Sequence, residues 1–212
     1  MTMTIFEQKQ CRDLAEKIAD SVNIDKPTYD AFRTVSRSEF VPVSSKAFDL
    51  NPHLIVANQW ISSPLTVAKM TMALELNGVD KVLEIGCGSG YQAAILSKIV
   101  RRVFSVERIE KLVKEAKEHF INLGITNVNV KFDDGNYGWQ KYAPYERILL
   151  SAATDEINQN LFNQLENGGI LVAPIQKKDK QVIVKFKKLN DGSITQKVIE
   201  ECKFVPLLNG IE

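Results

Sequence analysis

The chain has 212 residues, 44% hydrophobic and 25% charged, with 27 Lys plus Arg against 26 Asp plus Glu and a net charge of +1. Such a chain is long enough to bury roughly 70% of the surface its unfolded form exposes, which excludes disordered and fibrous classes. A balance this close to neutral supplies no electrostatic pull toward nucleic acid or an anionic membrane, so neither is expected as a partner.

In chain order, residues 6–22 place Phe6, Cys11, Leu14, Ile18 and Val22 at helical spacing and predict an amphipathic helix. The first ten residues lack the apolar core of a signal peptide, and no run approaches the roughly 20 apolar residues of a membrane helix. A cytoplasmic protein is therefore expected. A second helix starts at Lys26-Pro27, because proline suits a first helical turn, and turns Tyr29, Phe32 and Val35 inward. From Pro42 to Ser63 periodicity fades, and a loop this long in a small domain is usually functional or mobile. Helical spacing returns over residues 64–76 through Val67, Met70, Leu74 and Leu76.

Beyond residue 79 strands and helices alternate. Strands are predicted at 81–85, 103–106, 128–132, 147–151 and 170–174, and helices at 91–100, 109–123 and 157–165. Residues 182–189 and 194–201 flank Asn190-Asp191-Gly192, a hairpin signal. Alternation over about a hundred residues predicts a mostly parallel, doubly wound α/β sheet with an antiparallel hairpin at one edge. Cys11, Cys87 and Cys202 lack the spacing of a disulfide framework or zinc cluster, and His53 and His119 are the only histidines, so no metal is expected. His53 reads as a loop residue and His119 as a solvated helix residue.

The chemistry concentrates at Glu84-Ile85-Gly86-Cys87-Gly88-Ser89-Gly90-Tyr91. An apolar strand runs into Gly86, Gly88 and Gly90, where the backbone turns sharply and a ligand approaches without a Cβ in the way. Dinucleotide folds space the third glycine one residue later. The shorter spacing, with Glu84 in the strand, suits a ligand that has an amino-acid portion and no pyrophosphate, such as S-adenosylmethionine. Glu107, at the end of the second strand, could accept both ribose hydroxyls; as a solvated charge it would pair with Arg108 or Lys111 instead. Asp134-Gly135 follows the third strand, where the carboxylate could accept an adenine amine or simply form a turn. Cys87 at a helix start could be reactive, but no positioned base accompanies it.

These segments resemble the protein-L-isoaspartate O-methyltransferase family. The glycine loop through Ala94, Ser105-Val106-Glu107-Arg108, Asp134-Gly135-x-x-Gly138-Trp139 and Ala143-Pro144-Tyr145 are similar to its cofactor-binding segments. Arg37-x-x-Phe40-Val41-Pro42, Gln59-Trp60-Ile61-Ser62-Ser63-Pro64, Gln181 and Phe204-Val205-Pro206-Leu207 resemble motifs particular to the family. The resemblance covers nearly the whole chain. It implies a Rossmann-like methyltransferase fold, with residues 1–78 as a helical and substrate-loop subdomain and 79–212 as the S-adenosylmethionine-binding unit. It implies methyl transfer to the free α-carboxylate of isoaspartyl residues in damaged proteins, S-adenosyl-L-homocysteine as product, and a monomer. Ile61, Glu84, Gly86, Gly88, Gly90, Glu107, Asp134 and Gly135 are implied on the cofactor; Gln59, Trp60, Ser62 and Gln181 on the substrate; Ser62 as catalytic. By sequence alone Ser62 also suits the cap of the helix near Pro64. Trp60 either packs over the substrate or fills the loop. Val56, Asn58 and Trp60 replace two glycines and a threonine of the family pattern, and Asp133 replaces a glycine. A stiffer or reshaped substrate loop follows, with a redirected methyltransferase substrate as the alternative reading.

Overall fold

In a computed structural model describing residues 3–212, helix α1 (Ile5–Ser21) opens at Thr4, whose hydroxyl accepts the Glu7 N–H. Met1 and Thr2, part of the stretch read above for a signal peptide, lie outside those residues. Helix α1 buries Cys11, Leu14, Ala15 and Ile18. Phe6, expected inward, is 71% exposed. The stripe of 11, 14, 15 and 18 runs back to positions 7 and 8, which leaves position 6 on another face. Helix α2 (Lys26–Thr34) is capped by Asp25 and has Pro27 in its first turn, as predicted.

Residues 37–63 are more ordered than their weak periodicity suggests. They hold short 3₁₀ turns and a miniature antiparallel pair, β1 (His53–Leu54) and β2 (Trp60–Ile61). Helix α3 (Pro64–Ala73) then leads to β3 (Lys81–Ile85), α4 (Tyr91–Ser97), β4 (Arg102–Glu107), α5 (Glu110–Asn122), β5 (Val128–Phe132) and β6 (Tyr145–Leu150). Helix α6 (Gln159–Gln164) is shorter than predicted. Asn158 caps it, and strand β7 (Leu165–Lys177) begins at once by pairing Leu165 with Tyr145. Residues 166–169 bulge, with Gly168 at φ +81°, before pairing resumes at Arg147 and Ile170. Strands β8 (Lys180–Lys188) and β9 (Ile194–Cys202) form the expected hairpin.

The sheet order is β5-β4-β3-β6-β7-β8-β9, parallel through β7 and antiparallel beyond it. The chain moves outward from β3 through β4 to β5, then returns to the other side of β3 as β6. The carboxyl end of β3 is therefore a topological switch point, where open α/β sheets bind ligands. Side chains alternate across the sheet: Val82 and Val103 join one apolar cluster, and Leu83, Ile85, Phe104 and Val106 the other. The first cluster also takes in Leu14, Ile18, Phe32, Phe40 and Met70, so the N-terminal helices share a core with the sheet.

Candidate active site

The glycine loop leaves β3 with Gly86, Gly88 and Gly90 at φ +88°, +55° and +96°. A Cβ at Gly90 would stand 2.7 Å from the Phe120 ring, so that turn admits nothing larger than glycine. His119, far from being solvated, is half-buried; its Nδ1 lies 2.9 Å from the Ser89 carbonyl, and its ring packs against Phe40. The helix after β4 thus steadies the loop after β3.

Glu107 is buried at the end of β4 and lines the same pocket. Its two oxygens accept the Gly88 N–H at 2.9 Å and the Ile109 N–H at 3.0 Å. A carboxylate has about four acceptor positions, so about two remain. Burial raises its pKa, against the opposing pull of those N–H groups. The alternative reading, a solvated charge paired with Arg108, is not what forms: Glu107 is buried and Arg108 turns to Glu212.

Glu84 is fully buried in β3, in register with Ser105 of β4. Ser105 Oγ donates to Oε2 at 2.5 Å. Among the described residues Oε1 has no partner, although it belongs to a residue that lines the pocket. Burial lifts this carboxyl to about 8. A buried, unpaired acceptor is costly, and a cationic ligand group would relieve it. The residues therefore fit S-adenosylmethionine: an orphaned carboxyl for an ammonium, a glycine cradle, and spare acceptor positions on Glu107 for hydroxyls. Cys87 also lines the pocket, but burial and the nearby Glu84 push its thiol well up, so it is no nucleophile at neutral pH.

Gly135 also lines the pocket, and a Cβ there would collide with the Ile85 side chain. Like Gly90, Asp134, one residue earlier, does not itself line the pocket. Its Oδ1 accepts the Asn136 N–H and Nδ2, and its Oδ2 accepts the Gly210 N–H at 2.7 Å. Burial opposes its ionisation, yet these donors hold its pKa below the usual value.

Gln59, Trp60, Ile61 and Ser62 form the remaining rim. The helix cap falls to Ser63, which accepts the Thr66 N–H at 3.1 Å. Ser62 is left half-buried at the pocket, with no hydrogen bond to its hydroxyl among the described residues. Trp60 is 53% exposed and does not fill the loop. Without glycine at positions 56 and 58, the loop still takes a left-handed turn: Ala57 and Asn58 adopt φ +56° and +54°. Asparagine tolerates that region well and alanine poorly.

Two residues outside the pocket hold its parts, and sequence reasoning gave neither this role. Arg37 is completely buried, donating to the carbonyls of Ala47 at 3.1 Å, Asn51 at 2.9 Å and Ser62 at 3.1 Å. One guanidinium thus ties together the loop over residues 47–62, whose far end lines the pocket; its place in a matched motif was the only signal. Gln181, implied on the substrate, does not line the pocket. Its amide brackets Phe204, accepting the Phe204 N–H at 2.6 Å and donating to the Phe204 carbonyl at 3.2 Å. It thereby holds the segment whose Val205 and Leu207 do line it.

Comparisons with known proteins bear on family and fold. A family model described as Protein-L-isoaspartate(D-aspartate) O-methyltransferase matches residues 9–212. A protein-L-isoaspartate O-methyltransferase of Helicobacter pylori (strain G27) is 54% identical over 201 residues, 94% of this chain and 96% of its own length. One from Geobacter metallireducens is 41% identical over 186 residues, 87% of this chain and 86% of its own. A solved structure of a protein-L-isoaspartate O-methyltransferase has a TM-score of 0.86 at 28% identity, covering 95% of this chain and 67% of that one. A Plasmodium falciparum structure containing S-adenosyl-L-homocysteine has a TM-score of 0.83 at 20% identity, covering 93% and 97%, a likeness of fold.

Proposed function

From the premise that this chain belongs to the protein-L-isoaspartate(D-aspartate) O-methyltransferase family, we propose that Ser62 orients the accepting carboxylate while Glu84 and Glu107 hold the two ends of the cofactor. The protein is an S-adenosylmethionine-dependent carboxyl methyltransferase that acts on isoaspartyl residues of damaged proteins. The observation that carries the site reading is one pocket lined by all three residues, with the Ser62 hydroxyl unengaged and Glu84 Oε1 unpaired among the described residues. With relatives at 54% identity over nearly the whole chain, the redirected-substrate alternative loses its motivation.

S-adenosylmethionine supplies an electrophilic methyl group on a sulfonium. The isoaspartyl α-carboxylate, with an ordinary pKa of about 3.5, is already ionised at neutral pH and needs no general base. What remains for the chain is alignment and exclusion of water. Glu84 binds the cofactor's ammonium and Glu107 its ribose hydroxyls, with Gly86, Gly88 and Gly90 letting the backbone approach. Gly135 and Asp134 serve the adenine end. Ser62 would donate a hydrogen bond from its hydroxyl to the substrate carboxylate and so orient it. Ile61 seals the inner side, and Gln59 and Trp60 contact the peptide at the rim. Gln181 acts through Phe204. All these residues come from one chain, so a monomer suffices. Residues 1–78 supply the substrate side and 79–212 the cofactor side. Free thiols at Cys11, Cys87 and Cys202 support a reducing, cytoplasmic setting.

Ser62→Ala tests the assignment. Turnover on an isoaspartyl peptide should fall about 100-fold, with S-adenosylhomocysteine affinity within about twofold by calorimetry. Unchanged turnover, or an equal loss of affinity, would remove Ser62 from this role.

A further inference from the structure

The last residues of the chain lie where burial gives them no reason to lie. Residues 209–212 belong to no helix or strand, and Ile211 is 57% exposed. Polar contacts hold this segment at both ends. On one side, Gly210 N–H donates to Asp134 Oδ2 at 2.7 Å and Asn136 Nδ2 donates to Asn209 Oδ1 at 2.9 Å. On the other, Arg108 donates from Nε to the Gly210 carbonyl at 3.1 Å and from Nη1 to Glu212 Oε2 at 3.0 Å. The backbone closes the second side again, Glu212 N–H to the Arg108 carbonyl at 2.7 Å and Glu110 N–H to the Glu212 carbonyl at 2.8 Å.

These anchors follow the ends of β4 and β5. Arg108 adjoins Glu107 and lines the pocket with Leu208. Asp134 already spends two acceptor positions of Oδ1 on Asn136 and one of Oδ2 on Gly210. About one position is left on a carboxylate whose rotation the tail has set.

We propose that residues 209–212 are a brace across the adenosine end of the cofactor site, with Arg108 and Gly210 as its positioning groups. The brace ties the ends of β4 and β5 together and turns Asp134 so that its last acceptor position meets the adenine amine. It rests on the cofactor reading of Glu107 and Asp134 and extends it to a segment that does not itself line the pocket. Loosening the brace should therefore weaken cofactor binding and leave the methyl-transfer step alone.

Gly210→Pro removes the N–H and cannot adopt the present φ of +75°. A chain ending at Leu208 removes the brace altogether. The readouts are the Kd of S-adenosylhomocysteine by calorimetry, the KM for S-adenosylmethionine against kcat, and the KM for an isoaspartyl peptide. In both variants Kd and cofactor KM should rise at least about fivefold while kcat and peptide KM hold within about twofold. A smaller rise in both, or a fall in kcat as large as the rise in KM, overturns the brace. Normal binding by the unaltered chain that neither variant moves sinks the brace alone. Failure of the unaltered chain to bind S-adenosylhomocysteine sinks the cofactor reading and the brace with it. Gly210 is exposed at the surface, so its substitution leaves the core intact.

Discussion

At the scale of single residues, Glu84 should couple the pocket it lines to pH. Its carboxyl titrates near 8 in the folded chain against an ordinary 4.5. Burial is the main cause, and the neighbouring Glu107 adds to it against the opposing pull of Ser105 and Ser151. The folded form holds this proton more tightly than the unfolded one. Its contribution to stability is therefore complete below about pH 4.5 and is lost as pH climbs toward 8. Glu84→Gln should match the unaltered chain in thermal denaturation at pH 5 and be more stable at pH 8.5, by at most a few kcal/mol; equal behaviour at both pH values would contradict a protonated Glu84. The cofactor's ammonium should drive the proton off, so S-adenosylhomocysteine binding near pH 6.5 should release protons. Calorimetry in two buffers of different ionisation heat reads that directly, and an unchanged apparent enthalpy would contradict it. The glycine loop, Glu84 and Glu107 were legible in the sequence because strand, turn and helix follow one another there. The lone hydroxyl of Ser62 was less so: two adjacent serines compete for one cap, and only the geometry gives it to Ser63.

At the scale of elements, the loop over residues 47–62 is tied together by one side chain. Arg37 reaches carbonyls 10, 14 and 25 residues downstream. Periodicity carries no trace of such contacts, which is why residues 42–63 read as irregular. Lysine cannot reproduce the guanidinium fork. Arg37→Lys should lower stability by about 2–4 kcal/mol, since buried carbonyls lose their donors, and raise the peptide KM with little change in S-adenosylhomocysteine affinity. Equal loss of both affinities would show that Arg37 serves the whole fold. The turn at Ala57 gives the opposite sign. Left-handed alanine is strained by about 1–2 kcal/mol, so Ala57→Gly should stabilise by up to about 1 kcal/mol, less the entropy glycine adds to the unfolded chain. A lower melting temperature would mean that the turn carries no such strain.

At the scale of the whole molecule, the alternation of strands and helices was enough to read a mostly parallel sheet with an antiparallel hairpin, because each period is local. What it could not show is which distant pieces meet at the switch point. Gln181 grips Phe204, His119 contacts Ser89, and Gly210 binds Asp134 across separations of 23, 30 and 76 residues. Such contacts help assemble one pocket from six separate segments. The near-neutral charge suits an enzyme whose substrates are damaged segments of many different proteins, since a strong field would select among them. The central claim is that this pocket recognises a backbone-type carboxylate displaced by one carbon. It is tested by methyl transfer to an isoaspartyl peptide beside its aspartyl twin of identical sequence, under one set of conditions. The account predicts transfer to the isoaspartyl peptide with the twin at background. Equal transfer to both, or none to either while S-adenosylhomocysteine still binds, would contradict it.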